Sequence, residues 1–185
     1  MPETETEAKK PAAAKPRRSA KSREVEKVAR SLFELIGTRD VEAVLDLWDD
    51  DGVEDVVPVG VFRGKQEIEG FVRGLVGSSS DLEVTIDRLI ADDSRAVVEW
   101  RFRGTFDGAF QGVEPTGKRI DLRGADILEI EDGTIKRLTA HYDSAMFTRQ
   151  IGMMPPQDSG AERAMKTAFN AFTKVRSAVD ERRGQ

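Results

Sequence analysis

The sequence predicts an α+β fold in which a cone-shaped, curved antiparallel sheet packs against N-terminal helices. Apolar residues recur every three to four positions in the first part of the chain, as on a helix with one buried face. From Leu82 onward the period changes to two, which is typical of strands with one solvated face. Helices followed by a run of long strands favour a two-layer domain, with a pocket between the sheet and the helices.

Three helices are predicted before the strands. The first begins at Ser22 and carries a buried apolar face. Asp40 is expected to cap a short second helix that includes Trp48. The acidic residues 49–51 follow as a solvated turn at its end, and a third helix begins after Gly64.

The strands are predicted from strict alternation. In "SRAVVEWRFRGTF" the apolar residues Ala96, Val98, Trp100 and Phe102 alternate with charged or polar ones. "LEVTIDRLIADD", "KRIDLRGADILEIEDG" and "TIKRLTAHYDSAMF" have the same pattern, and acidic turns join neighbouring strands as hairpins. These segments predict four long antiparallel strands.

The two ends of the chain differ in character from the domain predicted at residues 24–156. Residues 1–23 hold seven Lys or Arg against three Glu and lack large apolar side chains, which predicts a disordered basic tail. Residues 157–185 predict an amphipathic helix that needs a surface for its apolar stripe. Packing on its own domain is the favoured expectation; a contact between subunits and a lid over the pocket are the alternatives.

Composition excludes several classes of function. The chain has no cysteine and a single histidine, His141, so thiolate chemistry and multi-histidine metal sites within one chain are excluded, and no cofactor or metal is expected. Strand alternation places His141 on the back of the sheet. The protein is expected to be cytoplasmic, without a membrane span. An acidic body of net charge about −9 does not favour nucleic acid, apart from weak binding through the basic tail.

The segment "VEDVVPVGVF" raises the main functional question, because it carries acidic residues into an apolar stretch. Alternation places Asp55 on one face with Val53, Val57 and Val59, and places Glu54 on the other face. Asp55 is then either a solvated residue of the acidic turn or a base held in an apolar pocket.

These motifs, together with "FRGKQEIEGF", "ILEIEDGTIKRL" and "HYDSAMFTRQIGMMPP", make the chain similar to the nuclear transport factor 2-like superfamily. Within it, the chain resembles the branch of SnoaL-like polyketide cyclases and ketosteroid isomerases. Together with the alternation, the resemblance implies that Asp55 faces the pocket as the general base and that Glu54 faces solvent. It also implies that Asp126 is a protonated acid which, with Tyr142, donates hydrogen bonds to an enolate; the isomerase is a standard example of a carboxyl group kept neutral by apolar surroundings.

The chain departs from these relatives at three places. Leu32 stands near the position of the isomerases' tyrosine, and Ala140 stands where the cyclases and epoxide hydrolases carry an aspartate. Arg101-Phe102-Arg103 replaces the Arg-x-Asp of the epoxide hydrolases. Epoxide hydrolysis is therefore not expected.

The sequence thus predicts a cofactor-independent isomerase or cyclase that removes a proton next to a carbonyl group of a small hydrophobic, steroid- or polyketide-like substrate. A non-catalytic ligand-binding or assembly module of the same fold is the alternative, and an Asp55 or Asp126 that faces water would favour it. A homodimer through the back of the sheet is expected, with polar residues at its rim: Glu99, Arg101, Arg103, Thr105 and Glu129. The predicted pocket-lining residues are Val57, Val59, Phe71, Trp100, Phe102, Leu128 and Ala140.

Overall fold

The computed structural model describes residues 18–183, so most of the predicted basic tail lies outside the described residues. The helices are α1 (Ala20–Thr38), α2 (Val41–Asp46), α3 (Gly64–Gly77), α4 (Ser144–Gln150) and α5 (Gly160–Arg183). The strands are β1 (Trp48–Val56), β2 (Gly60–Arg63), β3 (Glu83–Ala91), β4 (Arg95–Phe106), β5 (Lys118–Glu131) and β6 (Thr134–Tyr142). Within this range, no helix is long and apolar enough to cross a membrane.

Side-chain caps fix where the first two helices begin. Ser19 caps α1 by accepting a hydrogen bond from the Ser22 backbone N–H at 2.9 Å. Asp40 caps α2, as predicted, and its carboxylate accepts from the Ala43 N–H at 3.0 Å. Arg39, in the left-handed conformation with φ 63°, ends α1 and turns the chain into α2.

The six strands form one curled sheet in the order β2-β1-β6-β5-β4-β3. All neighbouring strands are antiparallel except β1 and β6, which are parallel. The predicted α+β class and the helix-covered curved sheet are confirmed, but the sheet is mixed. The parallel pair arises because the chain crosses from β1 to β6 only after α3 and three further strands.

The start of β1 differs from the sequence prediction. Trp48 lies in the strand, opposite Ile135, and not in α2. Between Trp48 and Val53 the register shifts, because five residues of β1 advance only from Ile135 to Arg137 on β6. The acidic residues 49–51 therefore lie in an irregular part of the strand, where Asp49 pairs with Lys136.

Helices α1, α2 and α3 cover the concave face of the sheet. Their apolar faces pack on inward-facing strand residues to form one core, with Leu32 and Phe33 of α1 and Ile68 of α3 almost fully buried. A smaller cluster around Phe106, Ile120 and Ile151 joins the end of α4 to the sheet. The core leaves a cavity between the layers, and this cavity is the candidate site.

The C-terminal segment does not pack as expected. Helix α4, capped by Asp143, replaces the end of the predicted last strand. Helix α5 is held at its start by Glu162, which accepts a hydrogen bond from Arg149 at 3.0 Å. Its apolar stripe does not pack on the domain, since Phe169 and Phe172 are each 67% exposed. No described residue of α5 lines the cavity, so this structure supports neither the expected intramolecular packing nor the lid.

Candidate active site

An apolar cavity of about 80 Å³ lies between the concave face of the sheet and helices α1 and α3. Four of the predicted lining residues, Phe71, Trp100, Phe102 and Ala140, do line it. Carboxyl groups enter this apolar surface at two positions, Glu54 and Asp126.

The other three predicted lining residues lie elsewhere. Leu128 is fully buried in the adjoining core. Val59 is partly buried against the same core, and Val57 is 55% exposed. Val57 and Val59 were expected inside because they are in phase with Asp55, but the opposite side of β1, with Glu54 and Val56, faces inward, and the strand ends at Val56.

The predicted inward orientation of Asp55 is wrong. Its side chain faces away from the cavity and forms an ion pair with Arg137, at 3.0 Å between Oδ2 and the guanidinium. Glu54 and Val56 occupy the inner face of β1 instead, and both are buried. Val53 and Val57, which were predicted to share the inner face with Asp55, lie with it on the outer side.

Strand pairing brings Glu54 and Asp126 to neighbouring rows of the inner face. Asp126 on β5 pairs with Ala140 on β6, which pairs with Val56 on β1. In the next row Leu138 of β6 pairs with Glu54. Ala140 therefore leaves the space between the two carboxyl-bearing strands unfilled, because its side chain is a single methyl group.

Trp100 orients Asp126. The indole Nε1–H of Trp100 donates to Asp126 Oδ1 at 2.7 Å, and both side chains are buried. Burial raises the pKa of Asp126 to about 7, and the hydrogen bond from Trp100 opposes this shift. A donor that favours the charged form makes Asp126 the more readily ionised of the two carboxyls.

Gly124 allows Trp100 to take this position. It pairs with Trp100 across β4 and β5, and a Cβ at residue 124 would lie 2.2 Å from Trp100 Cζ2 and 2.5 Å from the His141 carbonyl oxygen. Only glycine permits this close approach.

Glu54 is the second buried carboxyl, and it has no donor to stabilise its charge. Burial raises its pKa to about 8, and the nearby charge of Asp126 adds to the shift. Glu54 forms no hydrogen bond with any described residue, and its Oε2 atom is fully buried. At neutral pH these pKa values favour a protonated Glu54 and leave Asp126 near its titration midpoint.

The remaining predicted residues are placed as follows. Tyr142 lines the cavity, partly buried, in the same row as Trp100, and burial raises its pKa. His141 is exposed on the back of the sheet, as predicted. Within residues 18–183, no three His, Cys, Asp or Glu side chains form a group that could hold a metal ion.

Sequence reasoning missed Glu54 as a site residue. Trp48, Gly52, Glu54 and Val56 are buried and in phase, so the same side of β1 faces inward before and after the register shift. Val56, in phase with Glu54 and buried, was the available signal. The neighbouring valines lie on both faces of the strand, so they do not show which face is buried.

The chain matches a known protein family over most of its length. The profile of the SnoaL-like polyketide cyclase family matches residues 26–151. The chain belongs to this family. The matched region contains Glu54, Asp126 and every other residue that lines the cavity. No match was found among curated proteins.

Solved structures agree on the fold. A protein from Jannaschia sp. CCS1, provisionally assigned as a SnoaL-like polyketide cyclase, has 20% identity and a TM-score of 0.70, covering 76% of this chain and 100% of that one. AclR from Streptomyces galilaeus, provisionally assigned as a hydroxylase, has 18% identity and a TM-score of 0.66, covering 89% and 99%. An LEH-like epoxide hydrolase of M. tuberculosis has 20% identity and a TM-score of 0.57, covering 70% and 91%. At these identities the likeness extends to the fold alone.

The raised pKa values predict how stability depends on pH. The ordinary values are 4.5 for Glu54 and 3.8 for Asp126, so the folded state keeps both protons to a higher pH than the unfolded chain does. The stability that these two protonated carboxyls contribute to the fold is fully present below about pH 4 and is lost as pH rises through about 7 and 8. The free energy of unfolding should fall by up to about 1.4 kcal/mol per pH unit for each carboxyl in this window.

Urea denaturation between pH 5 and pH 9 measures this dependence. Glu54→Gln should remove about half of the pH dependence of the unfolding free energy, because Gln does not titrate. Asp55→Asn is the control and should leave the contribution of the two cavity carboxyls unchanged. An unchanged slope in Glu54→Gln would show that Glu54 ionises normally in the folded state.

Gly124→Ala should destabilise the fold by about 1–3 kcal/mol, because the added methyl group overlaps the indole of Trp100. Gly70→Ala is the matched control: Gly70 is exposed in α3, and nothing lies within 4 Å of the position that a Cβ would take there. That change should stabilise the protein by about 0.5–1 kcal/mol. Chemical denaturation of both variants tests the difference, and equal effects would show that Trp100 does not depend on Gly124.

Proposed function

We propose that the protein is a cofactor-independent enzyme that transfers a proton next to a carbonyl group of a small hydrophobic substrate. The observation that carries this proposal is the pair of buried carboxyls, Glu54 and Asp126, on neighbouring rows of one apolar cavity. Burial raises the pKa of both carboxyls, but only Asp126 has a donor that favours its charged form, so the two differ in acidity as a general base and a general acid do. Family membership supports the class of reaction and leaves the substrate open.

In this mechanism Asp126 is the base. Trp100 holds one of its oxygens, and the other oxygen accepts a proton from the carbon next to the carbonyl. As that C–H bond breaks, its electron pair moves towards the carbonyl oxygen, which takes a hydrogen bond from the protonated Glu54. Returning the proton to a different carbon completes an isomerisation. In a cyclisation the enolate carbon attacks a second carbonyl of the substrate, and the resulting alkoxide takes the proton back from Asp126.

This assignment changes two roles predicted from the sequence. Asp126 becomes the base, not the protonated donor, because Trp100 stabilises its charged form. Asp55 has no part in the reaction, since it faces away from the cavity. Tyr142 lies in the row of Trp100, on the side of Asp126 away from Glu54, and forms the polar wall beside the base.

The size of the cavity limits the part of the substrate that enters it. A cavity of about 80 Å³ is roughly half the size of an apolar cavity that holds benzene. The cavity is not enclosed, so part of a bound molecule can lie outside it. We therefore propose a substrate with one small ring, or a larger one that inserts a single enolisable ketone unit.

Exchange of α-hydrogens in cyclopentanone, a small enolisable ketone, provides a test. In D₂O the wild-type protein should accelerate exchange, and Asp126→Asn should lower the rate by about 10²- to 10⁴-fold through loss of the base. Glu54→Gln should lower it by about tenfold, because the amide donates a weaker hydrogen bond. ¹H NMR follows the loss of the α-proton signal.

Asp55→Asn is the control, since the two acidic residues are adjacent in sequence and face opposite sides of β1. Its exchange rate should equal that of the wild type. Loss of exchange in Asp55→Asn, together with normal exchange in Asp126→Asn, would overturn the mechanism.

A non-catalytic ligand-binding or assembly module is the second candidate. It is favoured by Asp55, which faces away from the cavity, and by Leu32 and Ala140, which stand where relatives carry functional polar residues. The exposed apolar stripe of α5 also favours it. Wild-type protein that binds cyclopentanone but does not exchange its α-hydrogens would support this alternative.

We also propose a homodimer through the outer face of the sheet. Ile90, Val97 and Ile127 lie side by side there on β3, β4 and β5 and are 40–63% exposed. Such an exposed apolar row is typical of an interface. Glu99 and Glu129, two residues of the polar rim predicted from the sequence, lie next to this row on β4 and β5.

Size-exclusion chromatography with light scattering should give twice the chain mass of 20.5 kDa at micromolar concentration. Val97→Glu should give the single-chain mass, because a charge would be buried in the interface. Asn170→Glu, on the polar face of α5, is a control that should remain dimeric. A monomeric wild-type protein would contradict the proposed dimer.

A further inference from the structure

A second unpaired polar atom lies at the same cavity as Glu54. Trp48 is 1% exposed and lines the cavity, and its indole Nε1–H has no hydrogen-bond partner among the described residues. Leaving a buried N–H unpaired costs about 1–3 kcal/mol. Neither Trp48 nor Glu54 satisfies the other, although both belong to β1.

Local packing fixes the direction of the Trp48 indole. A Cβ built at Gly52 would lie 2.8 Å from Trp48 Cε3, so the chain of the irregular segment lies against that edge of the ring. Nε1 is on the opposite edge of an indole. The bend of β1 around Gly52 therefore holds the ring with its N–H edge turned away from the irregular segment.

The order of residues along the inner face places Trp48 at the Glu54 end of the cavity. Trp48 pairs with Ile135 of β6, Glu54 with Leu138 and Val56 with Ala140. Asp126 shares the Ala140 row, and Tyr142 lies beyond it. The sequence of polar groups along the sheet is thus Trp48, Glu54, Asp126 and Tyr142, and Trp48 and Tyr142 lie at opposite ends.

We infer that Trp48 and Glu54 together form a subsite for a ligand oxygen that accepts hydrogen bonds, with the indole N–H of Trp48 as its second donor. An indole N–H only donates, so it selects an acceptor such as a ketone or enolate oxygen and gains nothing from an alkene or a cationic group. This inference rests on the proposed function and adds to it the residue that fixes where the carbonyl oxygen lies. It also supplies a donor in place of the phenol that relatives carry near Leu32.

The subsite accounts for the composition of the cavity wall. A ketone whose oxygen lies between Trp48 and Glu54 turns its ring towards Asp126, which is one row away. Two donors on one oxygen stabilise the charge that develops there when Asp126 takes the proton. The remaining wall is apolar and accepts the hydrocarbon part of the ligand.

NMR of the indole N–H groups tests this inference directly, because the chain has two tryptophans. Trp100 already donates to Asp126, whereas Trp48 is unpaired, so the two signals start from different environments. Trp48→Phe assigns them by removing one. Cyclopentanone should shift the Trp48 N–H proton downfield, and methylenecyclopentane, which has nearly the same shape but no oxygen acceptor, should bind without that shift.

Affinities of the two probes give the second readout. Trp48→Phe should weaken cyclopentanone about tenfold, as expected for loss of one hydrogen bond in a buried site, and should change methylenecyclopentane affinity by less than about twofold. A ketone that leaves the Trp48 signal unmoved, equal weakening of both probes, or no binding of either probe would overturn the subsite.

The same measurements separate the subsite from the proposed reaction. If cyclopentanone shifts the Trp48 N–H signal but the wild-type protein does not exchange α-hydrogens, the subsite is supported and the proposed reaction is contradicted. If Trp48→Phe exchanges α-hydrogens with the rate and KM of the wild type, the proposed reaction is supported and Trp48 has no part in its site.

Discussion

The side of β1 that faces the helices decides which acidic residue enters the cavity, and the rest of the site depends on that choice. Parallel pairing with β6 sets Glu54 opposite Leu138 and Val56 opposite Ala140, so both face inward. Asp55 is thereby placed on the outer face, where Arg137 neutralises its charge. A slip of one residue would exchange these two carboxyls and leave the cavity with a different chemistry.

Burial gives the site its electrostatic character. Glu54 and Asp126 lie in the same apolar wall, where an uncompensated charge is costly, so each carboxyl keeps its proton to a higher pH than it would in water. Only Asp126 has a donor, Trp100, whose position requires Gly124. This asymmetry makes one carboxyl a base and the other an acid without a metal or a cofactor in the proposed mechanism.

Much of the fold followed from the sequence, because periodicity and caps are local signals. The first helix, the Asp40 cap, the third helix and the first three long strands were predicted near their observed bounds, and the fourth strand was predicted too long. Asp126, Tyr142 and Ala140 were also placed correctly, because β5 and the part of β6 from Leu138 to Tyr142 carry them inward by simple alternation. In β1 the wrong side was expected to face inward, because valines lie on both sides of the segment and the pairing that orients it is with β6, far along the chain. The exposed stripe of α5 has the same non-local origin, because Glu162 and Arg149 fix only the start of that helix.

The central claim is that Glu54 is protonated and Asp126 is the more acidic of two interacting carboxyls inside the cavity. ¹³C NMR titration of the side-chain carboxyl carbons, assigned with Glu54→Gln and Asp126→Asn, tests it most directly. The account predicts that Asp126 titrates at about 7 and Glu54 at about 8, and that removing Asp126 lowers the pKa of Glu54. A Glu54 carboxyl that titrates near 4.5 whether or not Asp126 is present would contradict it.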